Sequence, residues 1–496
     1  MKKLYIFLGM ALILCFSSCN DWLDVRPETQ QKEEKQFSTY KGFRDALTGC
    51  YMSMANTNIY GEKLTMSHIE SLANLWTTSA SATGDRLADY YLSQHAYDSD
   101  DARTAMQGIW SGLFHVIVQV NVIIKNAENN KDAFESEMAR SIILGEAYAI
   151  RAYCQLDVLR LFGQLPQQAT QKVQLPYSGT TAFDEGPDYC DFDAYVSKLK
   201  SDLTKAESLL KDNDPVFDYT FSQLNYPRNN LLEDDYLYYR QSRLNYWAVK
   251  GLEARMYLYL GKKEEAYTAA KAILDATGAD GNPVMALSGA TDINQNRYAC
   301  PGECLFYLSK YNLKTVASIL IGNADVQARS SYLYISSTQL TKDLYDGQAT
   351  ESHNRYRNLW NTNVKDASNK VQAAIRKYWY ADDAADKMTN FQLIPMLRMS
   401  EIYLIAIETT TSKTEANQLY ATYMLDRAVQ VQGDAFASLD VIPDIILAEY
   451  RREFYAEGQM FYTYKRKFVK QMLWNKEEIT EEDYVLWNAV NKEFNA

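Results

Sequence analysis

Residues 244–277 read LNYWAVKGLEARMYLYLGKKEEAYTAAKAILDAT, and this stretch decides the fold class. Leu244, Trp247, Ala248, Gly251, Leu252, Arg255, Leu258 and Tyr259 fall on one stripe of a 3.6-residue period, the pattern of a helix with a buried face. Gly261 stops that helix, because a residue without a Cβ turns out of a helix with least strain. After Lys262 and Lys263, a second apolar stripe runs through Ala266, Ala269, Ala270, Ile273 and Leu274 and stops at Gly278. A helix-turn-helix unit of about 34 residues has the period of a tetratricopeptide repeat.

The same character recurs on both sides. Residues 141–163 (SIILGEAYAIRAYCQLDVLRLFG) read as a first helix in which Gly145, Ala149 and Ala152 let a partner approach closely, and 192–210 (FDAYVSKLKSDLTKAESLL) read as that partner. A third pair is expected from Met399 (MSEIYLIAIETT) through 415–432. Between them, 77–104, 164–190, 212–240 and 279–395 are richer in Gly, Pro, Asn, Asp and Tyr and carry only short apolar runs, such as Leu305–Leu308 and Val316–Ile321. They read as long loops with small strands, and loops of that length in a compact protein usually bind something. The expected fold is mainly α: a tetratricopeptide-like helical-repeat scaffold carrying a loop-rich subdomain with short strands. Its expected parts are 1–18, 19–278, 279–395 and 396–496, the third being the ligand side.

Residues 1–18 form an export signal. Lys2 and Lys3 precede the apolar run Leu4–Phe16, which is shorter than the roughly 20 residues needed to cross a bilayer and is followed closely by Asn20, Asp21 and Asp24. Small residues Ser17 and Ser18 stand before Cys19, as cleavage by lipoprotein signal peptidase requires, so Cys19 is the expected lipid acceptor. Each acyl CH₂ buried contributes about 0.8 kcal/mol, so several chains on Cys19 would anchor the protein permanently.

The signal holds two lysines and no acid, so the mature chain is more negative than the full chain's −12. That argues against sequence-independent binding to nucleic acid or to an anionic membrane surface, and leaves the lipid as the anchor. Tyrosine is abundant, 38 residues beside 18 Phe and 8 Trp, and it both fills cores between helices and offers a sugar ring an apolar face with a hydroxyl. Cys50, Cys154, Cys190, Cys300 and Cys304 show no repeating spacing, which argues against a disulfide framework; Cys300 and Cys304 alone could close a small loop. The four histidines, His68, His95, His115 and His353, have no close metal-ligand spacing, and no nucleophile-elbow, dinucleotide or phosphate-loop motif occurs. Asp98-Ser99-Asp100-Asp101 lacks the glycine and the distal glutamate of a calcium loop and reads as a solvated acidic turn. No metal or cofactor is expected, and nothing marks one carboxylate pair as catalytic.

Eight landmarks occur in order: Cys19–Pro27 (CNDWLDVRP); Ala46–Tyr51 (ALTGCY) with Tyr60-Gly61; Ile109–Phe114 (IWSGLF) with Asn121; Gly145–Ala147, Arg151–Tyr153, Leu161–Gly163 and Pro166; Arg243–Ala248 (RLNYWA) with Ala254-Arg255 and Tyr257-Leu258; Ile394-Pro395; Arg398–Tyr403 (RMSEIY); and Glu449–Phe454 (EYRREF) with Glu457-Gly458 and Phe461–Arg466 (FYTYKR). In these the chain resembles the SusD/RagB-like outer-membrane nutrient-binding lipoproteins along nearly its whole mature length. Glu146, Arg151, Arg255, Glu401, Arg451 and Glu453 among them sit on apolar helices and are expected to be paired or hydrogen-bonded, since an unpaired buried charge is costly. The resemblance implies a non-enzymatic protein on the outer surface of the outer membrane. Such a protein captures an oligosaccharide, or in some members a peptide, and closes as a lid over a SusC-like TonB-dependent transporter, its repeat side toward that partner. One departure is that after Asp483–Leu486 the chain continues as Trp487-Asn-Ala-Val490 to Ala496 where family members commonly have a proline-rich segment.

Glycan sites of this kind set aromatic faces against sugar rings and use Asp, Asn, Arg and Gln for hydroxyls. Loop aromatics outside the helical stripes are therefore the expected ligand residues: Trp76, close to Asp85, Arg86 and Tyr90, and, from the loop-rich subdomain, Tyr298, Tyr332, Tyr334, Trp360 and Trp379 with Asn296, Arg297 and Arg357. A glycoside hydrolase is the competing class; it would release product, whereas a binding protein would not.

Overall fold

The computed structural model describes residues 28–181, 185–321, 332–346, 353–366, 368–379, 392–475 and 477–486. The signal, Cys19 and the atypical ending 487–496 lie outside the described residues.

The quoted stretch folds as two helices, Tyr246–Tyr259 and Lys263–Leu274. Asn245 caps the first by accepting from Ala248 N, and Gly261 takes φ +72° in the turn. The second expected pair is Glu137–Phe162 with Phe192–Leu210, and the third is Met399–Thr409 with Lys413–Leu425. Two further helices, Tyr40–Met54 and Asp100–Asn129, precede them. These eight pack in chain order, each on the next, which is the arrangement of a helical-repeat stack. Two glycines show how closely these helices are approached, one by a helix and one by the strand Leu393–Arg398. A Cβ on Gly145 would lie 2.7 Å from Leu210 Cγ, and one on Gly251 would lie 2.4 Å from Leu397 Cδ2. Glycine within a helix costs about 1 kcal/mol in propensity, and here it is offset by contact that no other residue allows.

The loop-rich part contributes most of the strands, the short antiparallel pair Leu175–Pro176 and Tyr189–Cys190 lying outside it. Cys304–Ser309 pairs antiparallel with Leu393–Arg398, and a three-stranded antiparallel sheet places Val371–Ile375 between Ile335–Ser336 and Trp360–Lys365. Residues 77–104 depart from the loop expectation. They contain the helix Asp85–Ser93, whose nine residues are too short to stand out by periodicity, and the start of Asp100–Asn129. Ser99 caps that long helix by accepting from Ala102 N, and Arg103 reaches Asp98 O and Asp100 Oδ1, so the acidic turn is a helix start.

The six charges singled out on the apolar helices are ion-paired or, for Arg451, hydrogen-bonded. Arg151 holds Asp202 through two bonds of 2.7 Å, Arg255 holds Glu401 at 2.6 and 2.7 Å, Glu146 is met by Arg240, and Arg451 donates to Tyr464 Oη at 2.9 Å. Glu453 is the centre of the largest cluster. It accepts from Arg355 at 2.9 Å, Arg398 at 2.8 Å, Arg427 at 2.8 Å and Tyr423 Oη at 3.0 Å. Coulombic attraction from the three guanidiniums overrides burial and holds its carboxyl well below the usual range. Arg398 also binds Glu457 and Glu303, so this cluster ties the C-terminal helices to the strand Leu393–Arg398 and to the turn before Cys304. Cys300 and Cys304 are free, buried thiols; Cys304 Sγ lies 3.4 Å from Cys300 O.

Candidate functional site

The expected ligand residues fall into three contact groups. In the first, Trp76 and Trp360 do come together, but inside the core. Each is 3% exposed, and they flank Tyr455 edge to face at 5.0 and 4.9 Å. Trp76 Nε1 donates to Met66 O at 2.9 Å, so its polar tip is also taken. The expectation that these two rings face a ligand is therefore corrected: Tyr455, near the far end of the chain, fills the space between them. Tyr334 lies beside them, half-buried, its carbonyl accepting from Thr77 N, while Tyr332 is 4% exposed.

The second group is the helix Asp85–Ser93 and its surroundings. Asp85 is exposed and 3.6 Å from Lys63; Arg86 lies 3.0 Å from Asp89 and 3.6 Å from Glu62; Tyr90 is half-buried against Tyr91. Asp89 in turn accepts from Ser71 and meets His68 Nδ1 at 2.8 Å. These charges are mostly occupied with one another. Arg357 is exposed on the short helix Asn354–Leu359.

The third group contains Asn296, Arg297, Tyr298 and Trp379. Tyr298 Oη donates to Asn296 Oδ1 at 2.8 Å, and its ring lies 6.0 Å from that of half-buried Trp379, tilted by 30°. Burial pushes the Tyr298 phenol above its ordinary range. Arg297 next to it opens onto a cleft.

That cleft has a volume of about 420 Å³ and is bounded by Tyr219, Phe221, Asn225, Asp280, Arg297 and Tyr307. The volume falls in the range of small-ligand sites. Its walls come from three turns. Thr220 caps the turn Phe221–Leu224 with a reciprocal Gln223 bond, which fixes Tyr219 and Asn225 at its two ends. Tyr239, Asn296 and Cys300 take the left-handed conformation at φ +55°, +58° and +51°, closing the turns that deliver Gln241, Arg297 and Pro301. Exposed Tyr226 and Tyr239 follow the same segment.

The floor is a chain of amides. Asn225 Nδ2 donates to Gln241 Oε1 at 2.5 Å, and Gln241 Nε2 donates to Cys304 O at 2.6 Å. Asn225 Oδ1 and Arg297 Nε have no hydrogen-bond partner among the described residues. Arg297 is ion-paired with Asp292, which also accepts from Ser288 Oγ at 2.6 Å and Gly302 N at 2.7 Å. Burial pushes the Asp292 carboxyl up, whereas hydrogen bonds from Asn282 hold exposed Asp280 below its ordinary value. Of the expected ligand residues only Arg297 lines this cleft. Tyr219, Phe221, Asn225 and Tyr307 were missed; the one local signal was the density of tyrosine in 212–240.

A second cleft of about 430 Å³ lies between residues 164–174 and the start of the helix Phe192–Leu210. Phe192 is its one aromatic lining residue, so it offers less to a sugar ring.

Two family profiles match the sequence. One, described as starch-binding and associating with the outer membrane, matches residues 21–224; the other, described as the SusD family, matches residues 217–496. Two SusD-like proteins of Formosa agariphila are 28% identical over 206 residues and 26% identical over 168 residues, covering 41% and 34% of this chain. The matched stretches span 36% and 31%, about a third, of those relatives' own lengths. Among solved structures, a SusD superfamily protein from Bacteroides thetaiotaomicron has a TM-score of 0.68 at 18% identity over 92% of this chain and 98% of that one. A structure named as a laminarin-binding SusD-like protein has a TM-score of 0.59 at 14% identity over 91% and 93%. At these identities the likeness establishes the fold.

Proposed function

Because the chain belongs to the SusD family, we propose that it is a lipid-anchored outer-membrane protein that binds a nutrient glycan without turning it over and delivers it to a SusC-like TonB-dependent transporter. The observation that carries this reading is the pair of family matches, which together run from residue 21 to residue 496. The name of the laminarin-binding structural relative supports a glycan over a peptide. Under this reading the ligand side extends beyond residues 279–395, because the tyrosine-lined cleft takes one wall from 216–225.

The cleft suits the task. Half-buried Tyr219 supplies an apolar ring face, and the amides and guanidinium around it bind hydroxyls. A hydrolase would need two carboxylates free to reach one glycosidic bond. Here Asp292 is sealed under Arg297, its side chain fully buried.

The test is calorimetric titration of the purified chain with oligosaccharides, followed by analysis of the mixture for cleavage products. Saturable binding with the glycan intact is expected. Release of shorter products, lost when one carboxylate is substituted, would establish the hydrolase instead. Cys19→Ala should leave binding by the purified chain unchanged while abolishing glycan uptake by cells; loss of binding as well would remove the division between tether and site.

A further inference from the structure

We infer that the cleft accepts a neutral, hydroxyl-rich glycan segment and rejects acidic glycans, an inference that rests on the glycan-binding reading above. The basis is the balance of charge and of hydrogen-bonding groups. Two charged side chains line the cleft, Arg297 and Asp280. Arg297 is already neutralised by Asp292, which lies directly behind it with its side chain fully buried. Among the described residues Asp280 has no ion-pair partner; its carboxylate accepts only from Asn282, at 3.1 Å from N and 3.0 Å from Nδ2. The lining therefore carries one uncompensated negative charge, on a chain whose net charge is already −12.

The hydrogen-bonding groups point the same way. Asn225 Oδ1 is an acceptor without a partner, and Asp280 is an acceptor only. The Ser222 hydroxyl can give or take, whereas that of Thr220 is held by Gln223. A sugar hydroxyl satisfies such a lining, because it donates to exposed Asp280, and the buried, unpartnered Asn225 Oδ1 and Arg297 Nε gain a partner when their side chains turn toward it. A uronate or sulfate group has no proton to donate at neutral pH, would leave Asn225 Oδ1 unsatisfied, and would be repelled by Asp280. Specificity would then come from Asn225 and Asp280 as much as from the aromatic faces, since like charges and unpaired polar groups are what exclude a wrong ligand.

The experiment titrates the purified chain and two variants with neutral hexasaccharides (laminari-, cello-, malto-, manno- and xylo-) and with acidic oligomers of galacturonate and alginate. The expected result is binding of at least one neutral oligomer and of no acidic one. Asn225→Leu should weaken the neutral ligand by about tenfold, the scale of one lost hydrogen bond to a buried acceptor. Asp280→Lys should allow an acidic oligomer to bind, with an affinity that falls as salt is raised. Binding of an acidic oligomer by the unaltered chain, or neutral binding that both variants leave unchanged, would overturn the inference while leaving the glycan-binding reading in place. Absence of binding to every oligomer would remove both.

Discussion

Two arginines show how the scaffold and the cleft differ. Arg398 in the scaffold is 2% exposed and gives its donors to Glu303, Ser400, Glu453 and Glu457, from segments up to 95 residues away. Arg297 at the cleft has a side chain 24% exposed, makes one ion pair with Asp292, and keeps Nε without a partner among the described residues. Burial penalises unmet charged groups, and Arg398 has each of its three nitrogens engaged within the chain, whereas its cluster neighbour Arg355 keeps Nε without a partner among the described residues. Arg297 differs in combining an unmet donor with a partly exposed side chain at the cleft. The same contrast separates the aromatics. Trp76 is 3% exposed, packed edge to face on Tyr455 and engaged through its N–H, whereas Tyr219 is half-buried at an opening.

The strongest way to break this comparison is at Glu453. Replacing it with Ala leaves Arg355, Arg398 and Arg427 short of a shared partner, and loss of one member of a buried pair typically costs about 3–5 kcal/mol. Glu453→Ala is expected to prevent folding or to lower the midpoint of denaturant unfolding sharply; a midpoint close to the unaltered chain's would contradict the scaffold role. Trp76→Ala comes next. As a core substitution it should cost about 3–5 kcal/mol in unfolding free energy, yet leave the glycan affinity of the folded fraction unchanged. An affinity loss with little loss of stability would restore Trp76 as a ligand residue.

A pH titration sharpens the scaffold side. Arg466 and Lys467 outweigh burial and hold Glu408 at about 2, below its ordinary 4.5. A carboxylate lowered by folding stabilises fully above its unfolded value, and that contribution is lost as pH falls through its folded value. Glu408 should thus contribute on the order of 3 kcal/mol at neutral pH, lost progressively from about pH 4.5 toward pH 2. Glu408→Gln should flatten the stability curve in that window, and an unchanged acid limb would contradict the assignment. The smallest expected effect is at the cleft. Tyr219→Ala should weaken glycan binding by about 1 kcal/mol, roughly fivefold, with little change in unfolding midpoint. A change in midpoint without a change in affinity would place Tyr219 with the scaffold.

Much of the scaffold was legible in the sequence because its signals are local. The stripe from Leu244 to Tyr259 and the stop at Gly261 lie within one stretch, and Gly145 announced a close helix contact before Leu210 was known to be its neighbour. That Glu146, Arg255 and Glu453 would be paired followed from charges on apolar helices. Their partners did not follow: Arg240 lies 94 residues from Glu146, and Glu401 lies 146 from Arg255. The site was less legible for the same reason. Trp76 sits in a polar stretch that reads as a loop tip, and only the later Tyr455 buries it. The cleft combines Tyr219, Asn225, Asp280, Arg297 and Tyr307, which share no motif and meet only when the segments before and after the repeat pair 246–274 fold back together.

The most direct test of the account is a crystal structure of the chain with a bound neutral oligosaccharide. The account predicts a sugar ring against Tyr219 with hydroxyls at hydrogen-bond distance from Asn225 Oδ1 and Arg297 Nε. A glycan bound against Tyr90 and Asp85, with the tyrosine cleft empty, would contradict it.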